Sequence, residues 1–440
     1  MKKSNYLKGL ALLFAILFMT SCSHIDNPIS SNLVVEETEM LITMGGTGVI
    51  KATTTNTESP ITYVSSDPSI ATVDQNGVVT ALKDGKVDII VSVAGTEDFL
   101  PGQAVVEVWS RDTDLWDPLT LEATEDGELK LKYMYDYMSD KTIYYTVNDG
   151  DAQAINDTKV IVELNAGDKV KLYSANTTTH DFNIQGVECY IYGNVMSLIT
   201  PDGNWYENKK ITDDYALENL FAAMKIKKHE TRRLMLPATE LGLGCYRYMF
   251  ANSNITEAPE LPATNLATLC YSLMFGSCKS LTKAPKLPAE KIEAWCYQLM
   301  FYECTALTEA PELPAKVMKD NCYEGMFSSC KSLTKAPELP ATKLADNCYV
   351  EMFAGCTALT KAPELPAEKL NSHCYSQMFF ECAQLKEVKC MATDISATKA
   401  TWQWLDGVAE NGTFTKAAGM NDWTEGSGGI PSGWTVNDAE

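Results

Sequence analysis

The second half of this 440-residue chain consists of a repeat of 26 residues. The repeats share the motif CYxxMFxxCxxLTxAPxLPAxxLxxx. One copy is too short to bury an apolar core by itself, so the copies must stack, and residues that are identical in every copy must meet the neighbouring copy. The repeat therefore predicts an extended array whose variable positions face solvent or a partner. The first cysteines of the motif are Cys245, Cys270, Cys296, Cys322, Cys348 and Cys374.

The apolar spacing within each copy predicts one helix and one strand. In the copy at residues 341–365, Leu344, Cys348 and Met352 recur every four residues, as they would on one helix face. The prolines of the APxLPA segment forbid helix there, so that segment should be extended. A strand–helix–strand unit turns right-handed. We therefore predict a right-handed α/β solenoid over residues 216–390.

The repeat motif resembles that of the BspA-like leucine-rich-repeat surface proteins of Bacteroides and relatives, whose repeats share the MFxxCxxLT core. The similarity covers roughly residues 216–440. It implies a leucine-rich-repeat superhelix on a cell-surface lipoprotein, with adhesion to host matrix proteins as described for some members. Residues 391–440 break the period and resemble the C-terminal segment of these proteins, so we expect them to form a cap.

The N-terminal half is expected to contain two β-domains. From residue 32 to 110, short alternations of apolar and polar residues are separated by Gly, Asp-Pro, Asn-Gly and Asp-Gly, which is typical of a β-sandwich. The run ITYVSSDPSIATVDQNGVVTALKDGKVDIIVSV resembles the bacterial immunoglobulin-like domain of group 2, which implies a spacer that lifts a binding module off the membrane. Strand-like runs over residues 117–200 predict a second, smaller β-domain.

The first residues predict export and lipid attachment. Residues 1–21 combine lysines with an apolar stretch, the pattern of a signal peptide. Thr20-Ser21 directly before Cys22 resembles the lipobox of bacterial lipoproteins, which implies a lipid on Cys22 and a linker at residues 22–31. We therefore expect a soluble body anchored to the outer membrane and displayed at the cell surface. The residues after Cys22 do not distinguish the surface from the periplasmic face.

The charge and the residue inventory argue against several classes of function. A formal charge of −22 opposes nucleic acid and anionic lipid surfaces, so no nucleic-acid partner is expected. The chain has four histidines and lacks a zinc-protease motif, a GxSxG elbow and a phosphate-binding glycine loop, so neither a cofactor nor an enzymatic activity is predicted. Ser253 stands where later repeats have their second cysteine, which favours buried thiols over disulfides or zinc sites.

The variable positions of the repeats predict a ligand-binding surface. The expected ligand is a macromolecule, either a host extracellular protein or a glycan. The invariant tyrosines should lie at the edge of the core with their hydroxyls reaching solvent. Candidate contact residues form a charged row beside the strand and a second set on the predicted helix: Lys283, Glu309, Lys335, Lys361 and Glu387, then Glu324, Glu351 and Gln377.

Two other functions remain open from the sequence. A glycan-capturing lipoprotein of a nutrient-uptake system would need an exposed aromatic platform. A structural component of a surface layer would instead form ordered assemblies. The concentrated tryptophans that could form the glycan platform are Trp402, Trp404, Trp423 and Trp434.

Overall fold

The computed structural model describes residues 28–133, 142–155, 158–175 and 182–440. The signal peptide, Cys22 and linker residues 22–27 lie outside the described residues. The chain divides into two compact units, residues 1–113 and residues 114–440. No helix within the described ranges is long and apolar enough to cross a membrane.

The first unit is a β-sandwich, as the alternating sequence predicts. Its strands are β1 (Ile29–Ser30), β2 (Val34–Val35), β3 (Glu39–Thr43), β4 (Thr47–Val49), β5 (Ala52–Thr53), β6 (Ile61–Ser65), β7 (Ala71–Val73), β8 (Val78–Ala81), β9 (Gly85–Val93), β10 (Phe99–Leu100) and β11 (Gly102–Arg111). A four-stranded sheet has the order β3-β11-β9-β6, and a three-stranded sheet has the order β4-β8-β7. Alternate residues of β9, namely Val87, Ile89 and Val91, are buried in the core that both sheets share.

The second unit begins with another β-sandwich. A single α-helical turn, α1 (Thr113–Trp116), precedes β12 (Leu119–Ala123), β13 (Gly127–Tyr133), β14 (Ile143–Val147), β15 (Gln153–Ala154), β16 (Lys159–Leu164), β17 (Lys169–Ser174), β18 (Phe182–Gly186), β19 (Cys189–Asn194) and a 3-10 helix at Val195–Leu198. One sheet contains β15-β14-β17-β12-β19, and the other has the order β16-β13-β18. The strands predicted over residues 117–200 thus form a sandwich that belongs to the same compact unit as the repeats.

This sandwich continues directly into the repeats. Strand β19 pairs in parallel with β20 (Ile226–Lys227) and with β21 (Leu234–Met235). Buried residues from Leu119 to Trp434 form one uninterrupted hydrophobic core. The sandwich thus covers the N-terminal end of the repeat array, which would otherwise expose apolar side chains.

The segment predicted to be helical in each repeat is a ribbon of turns. In the repeat at residues 341–365, the N–H of Met352 donates to the carbonyl of Tyr349 within the ribbon, at 3.2 Å. The N–H of Tyr349 instead donates to the carbonyl of Cys374 in the next repeat, at 3.1 Å. The described part of the repeats contains no α-helix, and the unit is nearly all β, so the predicted right-handed α/β leucine-rich-repeat solenoid is wrong.

The backbone dihedral angles explain why the apolar spacing misled the prediction. Along one ribbon, Asn347, Glu351 and Gly355 have φ angles of 57°, 54° and 68°. A positive φ at every fourth residue is what alternating type I and type II turns require. Such a ribbon has a strict period of four, which is the spacing of Cys348 and Met352 in the sequence. A helix shares this spacing over two turns, so the two structures cannot be separated by pattern alone.

Eight consecutive ribbons share this geometry, which is more than the motif copies indicate. Each has three residues with positive φ, spaced four apart. The first ribbon precedes the first motif copy, and the last falls in the region expected to form only a cap. The ribbons are Tyr215–Ala223, Gly244–Asn252, Leu269–Ser277, Trp295–Glu303, Asn321–Ser329, Asn347–Gly355, His373–Glu381 and Lys399–Gly407.

The extended segments of successive repeats lie side by side in parallel. The last four segments form a regular sheet of β22 (Lys361–Leu365), β23 (Glu387–Cys390), β24 (Thr413–Lys416) and β25 (Thr435–Asp438). Earlier repeats show only isolated parallel bridges, such as Glu309 with Lys335. Proline lacks an N–H donor, so the two prolines of each segment interrupt the ladder.

Two columns of aromatic rings run through the core of the array. The tyrosines following the first cysteine of each repeat stack with ring centroids 5.5–6.0 Å apart. The phenylalanines stack at 5.3–5.7 Å. All six tyrosines are fully buried, and the hydroxyls of Tyr246 and Tyr323 lack a hydrogen-bond partner. The expectation that these hydroxyls reach solvent is therefore wrong.

Candidate ligand-binding surface

The charged row predicted beside the strand is a single file on the surface. Lys361 lies opposite Glu387, Lys335 opposite Glu309, and Lys283 opposite Glu257 in the parallel register. All of these side chains are exposed. Sequence reasoning missed Glu257, although it occupies the same motif position one copy earlier. The first charged row therefore consists of Glu257, Lys283, Glu309, Lys335, Lys361 and Glu387.

A second charged row, which sequence reasoning also missed, follows the first at a distance of about three residues along each segment. Its register is fixed by the pairing of Glu364 with Lys389. For five of its six residues the signal in the sequence is the variable position before a Leu-Pro pair, whereas Lys389 precedes Cys390-Met391. The second charged row consists of Glu260, Lys286, Glu312, Glu338, Glu364 and Lys389.

A groove lies between the two rows where the segments at residues 334–340 and 361–366 run side by side. Its volume is about 630 Å³. The Ala-Pro pairs of the two repeats line the groove between the rows, and the charged side chains flank them. The structure thus combines a shallow apolar floor with charged rims, a combination suited to ligand recognition. The charged lining residues are Lys335, Glu338, Lys361 and Glu364.

Like charges follow one another along each rim of this groove. Lys335 and Lys361 are the two consecutive lysines of the first charged row, and they face consecutive glutamates in the second. Lys361 pairs with Glu387, but neither Lys335 nor Glu338 has an ion-pair partner in the described part of the chain. A ligand carrying charges of both signs would complement this arrangement.

The three candidate residues from the predicted helix lie on the turn ribbons, separate from the groove. Glu324 Oε2 accepts hydrogen bonds from Gln298 Nε2 at 3.1 Å and from Asn321 Nδ2 at 2.6 Å. Gln377 Nε2 donates to Gln403 Oε1 at 3.2 Å. Partial burial of the Glu351 carboxyl, and then the charge of Glu324, raise the pKa of Glu351 above its usual value. The structure therefore divides the predicted surface into two separate faces.

The four C-terminal tryptophans do not share an exposed platform. Trp404 is completely buried, and its indole Nε1 donates to the carbonyl of Gly429 at 2.8 Å. Trp434 is also buried, and Trp423 stacks on Trp404 with ring centroids 5.3 Å apart. Trp402 is 42% exposed. Three of the four rings thus pack in or against the core, and one remains accessible.

The repeat cysteines are buried free thiols. Each thiol of the second cysteine column donates to a phenylalanine carbonyl of the preceding repeat, as Cys304 does to Phe275 at 3.1 Å. Burial raises the pKa of Cys278 to about 11 and that of Cys270 to about 12. Such thiols stay protonated and unreactive at neutral pH. Within the described ranges, no group of three or more His, Cys, Asp or Glu residues is arranged to hold a metal ion.

Comparison with known proteins identifies the N-terminal part of the chain. The family description of the bacterial Ig-like domain (group 2) matches residues 35–99. A polysaccharide lyase 8 family protein, HylA, from Enterococcus faecalis is 47% identical over 53 residues. That match covers 12% of this chain and 4% of the HylA protein. The sandwich of the first unit, with its alternating core strands, is thus a bacterial Ig-like domain of group 2.

Proposed function

We propose that this protein is a non-enzymatic binding protein of a bacterial cell surface, anchored through a lipid on Cys22. In this proposal the repeats engage an extracellular macromolecule through the two charged rows. The observation that carries the proposal is the groove at Lys335 and Glu338, where an apolar floor lies between a lysine rim and a glutamate rim.

Three features support this assignment. The lipobox-like sequence before Cys22 supports a membrane anchor, and the repeat motif resembles that of BspA-like surface proteins. An Ig-like domain next to the membrane would hold the repeats away from it. The charged rows extend over six repeats, so a long ligand would gain several weak contacts at once, and multiple contacts raise the overall affinity.

The charges define how a ligand would be recognised. An acidic group of the ligand would lie near Lys335 and Lys361, and a basic group would lie near Glu338 and Glu364. These side chains are exposed, so they would mainly set the rate of association and the salt dependence of binding.

The proposal is tested by binding of the full-length chain, kept in detergent, to immobilised host matrix proteins and glycans. Lys335→Glu combined with Lys361→Glu makes both rims negative, and we expect at least tenfold weaker binding of the best ligand. Lys343→Glu is the matched control, because Lys343 is an exposed repeat lysine outside the groove. Equal binding of the groove variant and the wild-type chain would refute the groove as the binding site.

A separate experiment tests the proposed lipid anchor at Cys22. We expect Cys22→Ser to abolish incorporation of radiolabelled palmitate and to release the protein from the membrane fraction. Retention of the label in this variant would contradict the assignment of Cys22.

A further inference from the structure

Two neighbouring ribbons carry large apolar residues where the backbone favours small or polar ones. Leu269, Leu273, Trp295 and Leu299 have φ angles of 60°, 54°, 54° and 53°. This left-handed region suits glycine and asparagine, and it is unfavourable for bulky side chains. Backbone strain of this kind is retained where the strained side chain contributes to function.

The next repeat in the stack shows the relaxed alternative. Asn321 and Gly325 occupy the positions equivalent to Trp295 and Leu299, with φ angles of 57° each. The ribbon itself therefore does not require apolar side chains at these places. The later ribbons carry polar, charged or glycine residues there: Asn347, Glu351, His373, Gln377, Lys399 and Gln403.

The four residues form one contiguous surface, which we name the apolar patch. Leu269 lies beside Trp295, and Leu273 beside Leu299, because the ribbons pair in register; the N–H of Leu273 donates to the carbonyl of Gln298 at 2.9 Å. Trp295 is 38% exposed, and the three leucines are partly exposed. The Leu299 side chain leans over the next repeat, since a Cβ on Gly325 would lie 2.4 Å from Leu299 Cδ2.

Carboxylates without a cationic partner border the apolar patch. Glu303 accepts hydrogen bonds from the hydroxyls of Ser277 and Tyr302, both at 3.1 Å. Glu324 is bonded only by side-chain amides, and Glu351 follows Gly325 in the same row as Leu299. None of these three carboxylates forms an ion pair within the described part of the chain.

Two cations from these and the adjoining repeats are already engaged. Arg247 pairs with Glu218 at 3.4 Å, and Lys319 pairs with Glu293 at 3.7 Å. Neither cation pairs with Glu303, Glu324 or Glu351, and the chain as a whole is acidic. Acidic borders repel an anionic lipid surface and attract a basic partner.

We infer that the apolar patch, together with Glu303, Glu324 and Glu351, binds a polypeptide segment that carries aromatic or aliphatic side chains next to lysine or arginine. The apolar side chains of the segment pack on Trp295 and Leu299, and its cations meet the unpaired carboxylates. This surface is separate from the groove between the charged rows, so it is a second interaction surface.

The test uses the full-length chain and fluorescently labelled peptides of about twelve residues. One peptide alternates Leu-Trp pairs with Lys-Arg pairs; a second replaces the cations with Glu, and a third replaces the apolar residues with Ser. Phosphatidylcholine vesicles with and without anionic lipid are the membrane probe. We expect the first peptide to bind at least tenfold more tightly than either control peptide, with no vesicle binding through the patch.

A variant with residues that tolerate a positive φ at both positions separates binding from folding. We expect Trp295→Asn combined with Leu299→Asn to weaken binding of the first peptide at least tenfold while leaving the melting temperature unchanged or higher, because asparagine relieves the backbone strain. Lys343→Glu is the control, because Lys343 is exposed and lies outside both the groove and the apolar patch; it should leave peptide binding unchanged. Unaltered peptide binding, a lower melting temperature, or patch-dependent binding to vesicles rather than to the peptide would each overturn the inference.

Discussion

The Ig-like unit and the repeat unit satisfy their backbone hydrogen bonds in different ways. In the Ig-like unit, β9 lies between β6 and β11. Its backbone hydrogen-bond partners on both sides therefore belong to residues 28–113. In the repeats, the ribbon donors alternate between a carbonyl three residues back and a carbonyl about 25 residues ahead. The described strands of the first unit thus pair with one another, whereas each repeat depends on the next one.

This difference determines how far a local change should spread. A core substitution in the Ig-like unit acts on one small sandwich. A core substitution in a repeat acts on both neighbouring repeats, because rings and backbone groups are shared across each junction. The following predictions test this contrast, beginning with the largest expected effect.

Alkaline pH should destabilise the repeat unit far more than the Ig-like unit. Burial raises the pKa of Cys270, Cys322 and Cys374 from 9.0 to about 12. The unfolded thiols lose their protons at lower pH than the folded ones, so stability that is complete below pH 9 is lost as the pH rises toward 12. At pH 10, each such thiol lowers the free energy of unfolding by about 1 kcal/mol.

Denaturant unfolding at pH 7 and pH 10 measures this effect. The Ig-like unit has no cysteine in residues 28–113, so its transition should move much less. An identical midpoint of the repeat unit at both pH values would show that the thiols are not buried in the protonated form.

Phe327→Ala should destabilise the repeat unit by about 3–5 kcal/mol. Phe327 is completely buried, and its ring centroid lies 5.6 Å from that of Phe301 and 5.7 Å from that of Phe353. Hydrogen exchange should accelerate in both neighbouring repeats and not in the Ig-like unit. Ile89→Ala is the converse control, since it should affect only the Ig-like unit. Exchange confined to the mutated repeat would disprove the dependence between repeats.

Gly325→Ala should cost about 1–2 kcal/mol. Its φ of 57° strains any side chain, and the added Cβ would lie 2.4 Å from Leu299 Cδ2. Gly355→Ala is a matched control, because it has a φ of 68° but its nearest contact is 3.4 Å away. Thermal denaturation should rank Gly325→Ala as the less stable variant, and Leu299→Ala should remove that difference. The reverse order would contradict the contact between the two ribbons.

Cys304→Ser should cost less than about 1 kcal/mol. The serine hydroxyl retains a donor for the carbonyl of Phe275, and Ser253 already occupies the equivalent place in the first motif copy. Equilibrium unfolding of the variant measures the change. A loss as large as that of Phe327→Ala would mean that the thiol has a role which a small hydrogen-bond donor cannot replace.

The sequence was sufficient to predict the structure where interacting residues are close along the chain. It was also sufficient where the 26-residue period determines which residues are neighbours. Alternating residues predicted the sandwich because a strand buries every second side chain. The file of Lys335, Lys361 and Glu387 followed from the repeat, since equivalent positions of stacked copies must lie side by side. The same reasoning would have found the second charged row had it been applied to the residue before each Leu-Pro pair.

The sequence was insufficient where the hydrogen-bond partner that determines the local structure lies in another repeat. Cys348 and Met352 are spaced alike in a helix and in a turn ribbon, and the hydrogen bond that distinguishes the two joins Tyr349 to a residue in the next repeat. The apolar patch was predicted only in part for a related reason. Leu273 and Leu299 fall at variable repeat positions that were expected to be on the surface. Leucine and tryptophan carry no signal for a positive φ, so the sequence did not place Trp295 beside them on the outer face of a ribbon.

The central claim is that the ribbons are hydrogen-bonded from one repeat to the next. Scalar couplings across hydrogen bonds, measured by NMR on the deuterated protein, report these partners directly. We predict a coupling between the amide nitrogen of Tyr349 and the carbonyl carbon of Cys374. A coupling from Tyr349 to the carbonyl carbon of Ala345, four residues earlier, would show a helix and contradict the account.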